Sequence, residues 1–200
     1  TDNVDILLNG VDLETFDVKE GHDYSVNNTL LFTGNMDYAP NVDAVLYFVK
    51  ELWPSIKNNN PSVKLVIAGQ RPVEEILKLQ SSRIEITGFV PDISDLYRFS
   101  SILIAPLRFG AGTQNKVLEA MAMGVPVVCT HIGFAGLQIK SGDGVIMAKE
   151  SNDFIHQVNQ LLSDVDQRRQ VGEKGLTIAH QRFSWDSITN QLEFYVNNIC

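Results

Sequence analysis

The stretch Ser101–Val128, SILIAPLRFGAGTQNKVLEAMAMGVPVV, constrains the fold of this chain more than any other. The apolar run Ile102–Ala105 reads as a buried strand, and Pro106, which has no N–H to give to a ladder, ends it. A glycine-bearing turn follows, Arg108-Phe109-Gly110-Ala111-Gly112. From about Thr113 to Met123 the spacing of Val117, Leu118, Met121 and Ala122 predicts a helix. Gly124 stops that helix, Pro126 follows at the expected distance, and Val125–Cys129 reads as the next buried strand. Strand, glycine turn, helix and strand in this order make a βαβ crossover.

Such a turn suits an anion. The first amides of a helix lack intrahelical partners, and the helix dipole places partial positive charge there. Gly110 and Gly112 let the backbone approach a ligand with no Cβ in the way. Thr113 is placed to cap the helix or to donate to a phosphate. Lys116 and Glu119 share a face near the helix start, the lysine suited to phosphate and the carboxylate to hydroxyls. The same two residues also read as an ordinary solvated pair worth about 0.3–0.5 kcal/mol.

Short apolar runs alternate with amphipathic stretches along the rest of the chain. Asp5–Leu8, Thr29–Thr33, Val63–Ala68, Ile84–Thr87 and Val145–Met147 read as strands, and Glu20–Asn28 as a polar loop. Asn41 is placed to cap a helix carrying Val42, Val45, Leu46, Val49 and Leu52, which should end or kink at Pro54. Shorter helices are expected over Glu74–Gln80 and Ile93–Phe99. After Glu150 the pattern turns helical: one helix from Ser151 or Asn152, one over Asp166–Arg182, and one over Trp185–Asn197 capped by Ser184. The alternation gives an α/β fold: a Rossmann-like three-layer α/β/α sandwich with a mainly parallel sheet, plus C-terminal helices. Arg71 follows the strand Val63–Ala68, and strand ends of this kind collect ligands, so it is a candidate phosphate contact or a plain surface arginine. His131, just past another strand end, reads as a structural or solvated residue.

Glu119-Ala120-Met121-Ala122-Met123-Gly124-Val125-Pro126-Val127-Val128 resembles the donor-site run of the large "group 1" family of retaining glycosyltransferases with the two-domain GT-B fold. Asn9-Gly10-Val11-Asp12 followed by Phe16 is similar to the segment by which that family's chain enters its second domain. Gly88-Phe89-Val90 is similar to its nucleobase loop, and Phe183-Ser184-Trp185 to the tripeptide before its last helix. The variant Pro106–Gly112 resembles a bacterial subgroup associated with exopolysaccharide synthesis. The resemblance implies the C-terminal, donor-binding half of a glycosyltransferase using a nucleotide-diphosphate sugar. It would retain configuration, need neither metal nor cofactor, and be inactive without an N-terminal acceptor-binding domain. The chain would then be one unit, with an entry segment at 1–28, a Rossmann-like core at 29–149 and C-terminal helices at 150–200.

By the same resemblance Glu119 would accept from ribose hydroxyls, and Gly112, Thr113, Gln114 and Asn115 would offer amides to phosphate. Lys116 and Arg108 would face the leaving diphosphate, with Arg71, Gly110, Gly34 and the backbone of Val90 also around the donor. Two departures stand out. The family's first glutamate falls on Ala111, and its Gly-Arg-x-x-x-x-Lys cation pair falls on Asn35 and on Pro40 or Asn41. Both leave open a regulatory or inactive nucleotide-binding module.

Composition removes other classes. A formal charge of -8 argues against a general nucleic-acid binder. No apolar run is longer than a strand, so no transmembrane segment is expected, and TDNVDILLNG lacks the basic start and apolar core of a signal peptide. Cys129 and Cys200 read as free thiols, and Asn27-Asn28-Thr29 as a chance glycosylation pattern, in a cytoplasmic protein that the full enzyme would hold at the inner membrane face. Gly34-Asn35-Met36-Asp37 is not a dinucleotide fingerprint, which disfavours a nicotinamide-dependent oxidoreductase. A pure protein-interaction domain would leave Lys116 and Glu119 without a purpose.

Overall fold

Short strands of apolar and β-branched residues are stable when helices cover both faces of the sheet. A computed structural model of the chain, describing residues 6–18, 21–25, 28–110 and 112–198, shows that arrangement. The strands are β1 (Thr29–Thr33), β2 (Lys64–Ala68), β3 (Ile84–Gly88), β4 (Ile102–Ala105), β5 (Val127–Cys129) and β6 (Val145–Met147). They form one parallel sheet in the order β3-β2-β1-β4-β5-β6. Alternate residues feed opposite cores: Leu30, Phe32, Ile102 and Ile104 one, Leu31, Leu103 and Ala105 the other. Two cores separated by a sheet make three layers, as the alternation predicts.

The strand order reverses between β1 and β4. The helices that follow them, over Ala39–Tyr47 and Asn115–Ala122, pack in opposite cores, and this switch point is the usual ligand position in open α/β sheets. Pro106 does follow the last residue of β4. Helix α1 (Ala39–Tyr47) begins earlier than expected: Tyr38 is its N-cap, Pro40 sits in the first turn, and Asn41 is turned inward instead of capping. The helix also passes Pro54. A π-helical turn over Phe48–Leu52, closed by the Trp53 N–H donating to the Phe48 carbonyl, leads into α2 (Trp53–Asn59) and carries the chain past Pro54, which has no N–H to donate.

Helices α3 (Glu74–Leu77), α4 (Ser94–Arg98) and α5 (Asn115–Ala122) are shorter than expected. Gln114, not Thr113, is the N-cap of α5. An unexpected single turn, α6 (His131–Phe134), is capped by Thr130, whose hydroxyl donates to the Leu107 carbonyl. Then come α7 (Ser151–Ser163), α8 (Val165–Ile178), a π-helical stretch over Ala179–Phe183, and α9 (Trp185–Asn198). Ser184 caps α9 as predicted, accepting from the Ser187 N–H at 3.1 Å.

Residues 6–8 form no strand. The segment after them is fastened instead to the C-terminal helices: the Val11 N–H donates to the Phe183 carbonyl at 2.7 Å, and Gly10 lies against the Trp185 ring. Buried Arg168 reinforces the join by donating to the carbonyls of Leu161 and Leu162, at the end of α7, and of Tyr24. Asp5, Asn27, Ala111 and Cys200, on which sequence expectations fall, lie outside the described residues.

Candidate functional site

The switch point between β1 and β4 collects side chains from four elements. Helix α5 contributes Lys116 and Glu119, one turn apart. Lys116 is buried, so the solvated-pair reading fails. Its Nζ donates to Asn41 Oδ1 of α1 at 2.7 Å and stands 4.2 Å from the centroid of the Phe32 ring of β1. Removal from water pulls this lysine down to about 7, with nearby Glu119 opposing the change. Gly34, just after β1, completes the cradle: its φ is +152°, and a Cβ there would lie 2.6 Å from Asn41 Nδ2 and 3.2 Å from Lys116 Nζ.

Glu119 is half-buried, and burial raises its carboxyl above the usual range while a hydrogen bond from Tyr97 and the charge of Lys116 oppose that rise. The Tyr97 hydroxyl donates to Glu119 Oε2 at 2.6 Å and lies 2.9 Å from Thr33 Oγ1. Asn115, at the first turn of α5, accepts from Asn9 Nδ2 at 2.6 Å. In the loop after β1, Asn35 Oδ1 is buried without a hydrogen-bond partner among the described residues.

The expected residues separate into two groups. Lys116, Glu119 and Gly34 meet around the switch point, with Thr113, Gln114 and Asn115 at the start of α5. Arg108 does not join them: its guanidinium grips the Asp43 carboxylate on α1 and stacks on Tyr47, 4.8 Å from the ring centroid. Arg71, at φ +56°, pairs with Asp37 at 3.5 Å. Gly110 lies beside Pro40, Gly112 has open space around its Cα, and Val90 follows the carboxyl end of β3. His131 is exposed, as read from the sequence, and borders a cavity of about 350 Å³ shared with Arg108 and Lys149. A separate cavity of about 650 Å³ is lined by Glu14, Asp17, Asp23 and Asp92 with Arg98, a lining that would repel a diphosphate.

Tyr97, Thr33, Asn41 and Phe32 were not foreseen as part of this cluster. Each reads in sequence as core or cap. Only the strand order, which sets β1 beside β4, brings them to α5. Among the described residues no group of three or more His, Cys, Asp or Glu side chains is arranged to hold a metal ion, and no helix is long and apolar enough to cross a membrane.

The fold is thus a Rossmann-like sandwich with a buried cation and a carboxylate at its switch point. Residues 27–164 match the family model described as "Glycosyl transferases group 1", and the chain belongs to that family. The O-antigen chain mannosyltransferase B of Escherichia coli is 30% identical over 172 residues, covering 80% of this chain and 43% of that protein. The crystal structure of Anabaena HepE in complex with UDP and glucose superposes with a TM-score of 0.77 at 17% identity, over 97% of this chain and 56% of that one. The C-terminal domain of LpcC from Francisella tularensis, a group 1 family protein, superposes with a TM-score of 0.68 at 17% identity, over 88% of this chain and 100% of that domain. The chain spans about half the length of the curated relatives it matches, 43%, 53% and 50% for three of them.

Proposed function

We propose that this chain is the donor-binding half of a glycosyltransferase that moves a sugar from a nucleotide-diphosphate sugar to an acceptor. The observation that carries this reading is buried Lys116, held by Asn41 at the switch point of the sheet and one helical turn from Glu119. Lys116 sets positive charge where negative charge develops as the glycosidic bond to the leaving diphosphate breaks. Glu119 accepts from the ribose hydroxyls. Gly112, Thr113, Gln114 and Asn115 bring the free amides of α5 to the phosphates, and Gly110 keeps the turn before them narrow. Gly34 lets the diphosphate approach the end of β1, and the unpaired Asn35 Oδ1 beside it is an acceptor for a ligand donor. The backbone of Val90 meets the nucleobase. Arg108 and Arg71 reach the diphosphate only by leaving Asp43 and Asp37.

In this reading the transfer retains configuration and uses neither metal nor cofactor. An N-terminal half outside this chain supplies the acceptor site, so the chain alone binds donor without transferring sugar; its entry segment at 1–28, core at 29–149 and helices at 150–200 act as one donor unit. The enzyme works in the cytoplasm, peripheral to the inner membrane face, on a cell-surface polysaccharide. The O-antigen mannosyltransferase of Escherichia coli, and a lipopolysaccharide 1,2-N-acetylglucosaminetransferase of Salmonella typhimurium at 24% identity over 84% of this chain, support that pathway.

A second reading, a nucleotide-binding module without transfer, is favoured by Asn35, Pro40 and Asn41 standing where the family carries its cation pair. Asn41 weakens that reading, because its side chain holds a replacement cation, Lys116, over the same loop.

Thermal denaturation with UDP, GDP, ADP and a nicotinamide dinucleotide tests the proposal. One nucleoside diphosphate at about 100 times its Kd should stabilise the fold by about 2.7 kcal/mol, and the dinucleotide should not. Absence of stabilisation by all three diphosphates contradicts it.

A further inference from the structure

A carboxylate has two oxygens, and this fold has already engaged one of Glu119's. Tyr97, on α4, is fully buried, and its hydroxyl donates to Glu119 Oε2 at 2.6 Å. Thr33 Oγ1, at the carboxyl end of β1, lies 2.9 Å from the same hydroxyl. With the tyrosine proton directed to the carboxylate, the threonine becomes the donor to the phenolic oxygen. Phe16, from the segment that precedes the core, packs edge-on against the Tyr97 ring with centroids 5.8 Å apart. The ring is held from one side by packing and at its tip by three polar partners, the third being the Lys116 carbonyl at 3.4 Å.

We infer that Tyr97 is a positioning residue of the nucleotide site, holding Oε2 of Glu119 so that the carboxylate presents Oε1 to the ribose hydroxyls of a nucleoside diphosphate. The inference rests on the donor-site reading above and adds to it the group that sets the glutamate's orientation. A half-buried carboxylate with both oxygens unengaged turns about its last bond and, short of water, takes up a proton; a protonated or rotated group is a poorer acceptor for a ribose diol. Tyr97 restrains the rotation and opposes the protonation at one atom. Donation from Thr33 polarises the phenol and strengthens its bond to the carboxylate. Burial, with the Glu119 charge beside it, pushes the phenol well above its ordinary value, so it stays a neutral donor near pH 7.

A tyrosine that only fills space would affect ribose and dideoxyribose ligands alike. A tyrosine that aims Glu119 affects the ribose form selectively, because a site built to bond a hydroxyl loses most when that hydroxyl is unmatched. The test is calorimetric titration of UDP, GDP, ADP and their 2′,3′-dideoxy counterparts into the chain, its Glu119→Gln variant and its Tyr97→Phe variant. The wild-type chain should prefer the ribose form of its nucleotide, and Glu119→Gln should erase the preference. Tyr97→Phe should lower affinity for the ribose form about three- to tenfold while leaving the dideoxy form nearly unchanged.

A Tyr97→Phe variant that keeps the wild-type preference, or that loses both forms equally, overturns the inference and leaves the donor-site reading intact. A wild-type chain that binds none of the six ligands overturns both. If Tyr97→Phe does not fold, Thr33→Val keeps the ring and removes the hydroxyl behind it. That variant should show the same selective loss to a smaller degree, and an unchanged preference there overturns the inference.

Discussion

Lys116 Nζ donates to Asn41 Oδ1 at 2.7 Å, which ties the first turn of α5 to the first turn of α1 across the switch point of the sheet. The bond places a lysine from one side of the switch point over the loop that leaves the other. Its Nζ also stands over the Phe32 ring, at 4.2 Å, which compensates in part for the water it has lost.

Free Lys116 titrates at about 7 because burial disfavours its charge. A bound diphosphate supplies the missing counter-charge and raises that value. Binding is therefore strongest below pH 7 on the lysine side and weakens as pH rises from 7 toward the lysine pKa of the complex. Calorimetry at pH 7 in two buffers of different ionisation enthalpy should show uptake of about half a proton per ligand. Lys116→Met should abolish the uptake and cost at least about tenfold in affinity.

The cradle around that lysine is narrow. In Gly34→Ala the new Cβ would fall 2.6 Å from Asn41 Nδ2 and 3.2 Å from Lys116 Nζ, at a φ that L-residues rarely adopt. Nucleotide affinity should drop about tenfold or more, with a loss of stability of about 1–3 kcal/mol in urea denaturation.

Far from the site, His22 predicts an acid limb. Its Nδ1 is buried without a partner among the described residues, and desolvation lowers the imidazole to about 4 from 6.5. The folded value lies below the unfolded one, so this contribution to stability is complete above pH 6.5 and is lost as pH falls toward 4. The loss amounts to about 3 kcal/mol. His22→Phe should flatten the difference between denaturation curves at pH 7 and pH 4.5 by about 2 kcal/mol, the part of the loss that falls in that window.

Helix α8 carries two interior glycines, Gly172 and Gly175, each costing the helix about 1 kcal/mol against alanine. Packing explains them: a Cβ on Gly172 would overlap the Gly124 carbonyl and the Tyr24 ring, and Gly175 abuts Gly144. Gly172→Ala should therefore lower stability by about 1–3 kcal/mol despite the gain in helix propensity, and lower Tm.

Much of this architecture was legible in the sequence. Thr29–Thr33, Ile102–Ala105 and Val145–Met147 were read to the residue, because an apolar run bounded by glycine, proline or polar residues has few alternatives in a buried parallel sheet. Lys116 and Glu119 were singled out because helical spacing puts them on one face. The failures were tertiary. Residues 6–8 look like a strand locally, but no sheet edge takes them up. Asn41 looks like a cap, yet its amide is drawn inward to Lys116 and to the Asn35 carbonyl. Pro54 reads as a stop or a kink, and the regular helix does give way before it to a wide turn. Tyr97 and Thr33 carry no polar signature, and their meeting with Glu119 exists only once β1 and β4 are neighbours.

The most direct measurement is calorimetric titration of UDP, GDP and ADP into this chain beside Glu119→Ala. The donor-site account predicts that one of the three binds selectively and that Glu119→Ala weakens it by about tenfold or more, the loss of a charged acceptor's hydrogen bonds. Binding of that diphosphate with unchanged affinity in Glu119→Ala, or no binding of any of the three to the wild-type chain, would contradict it.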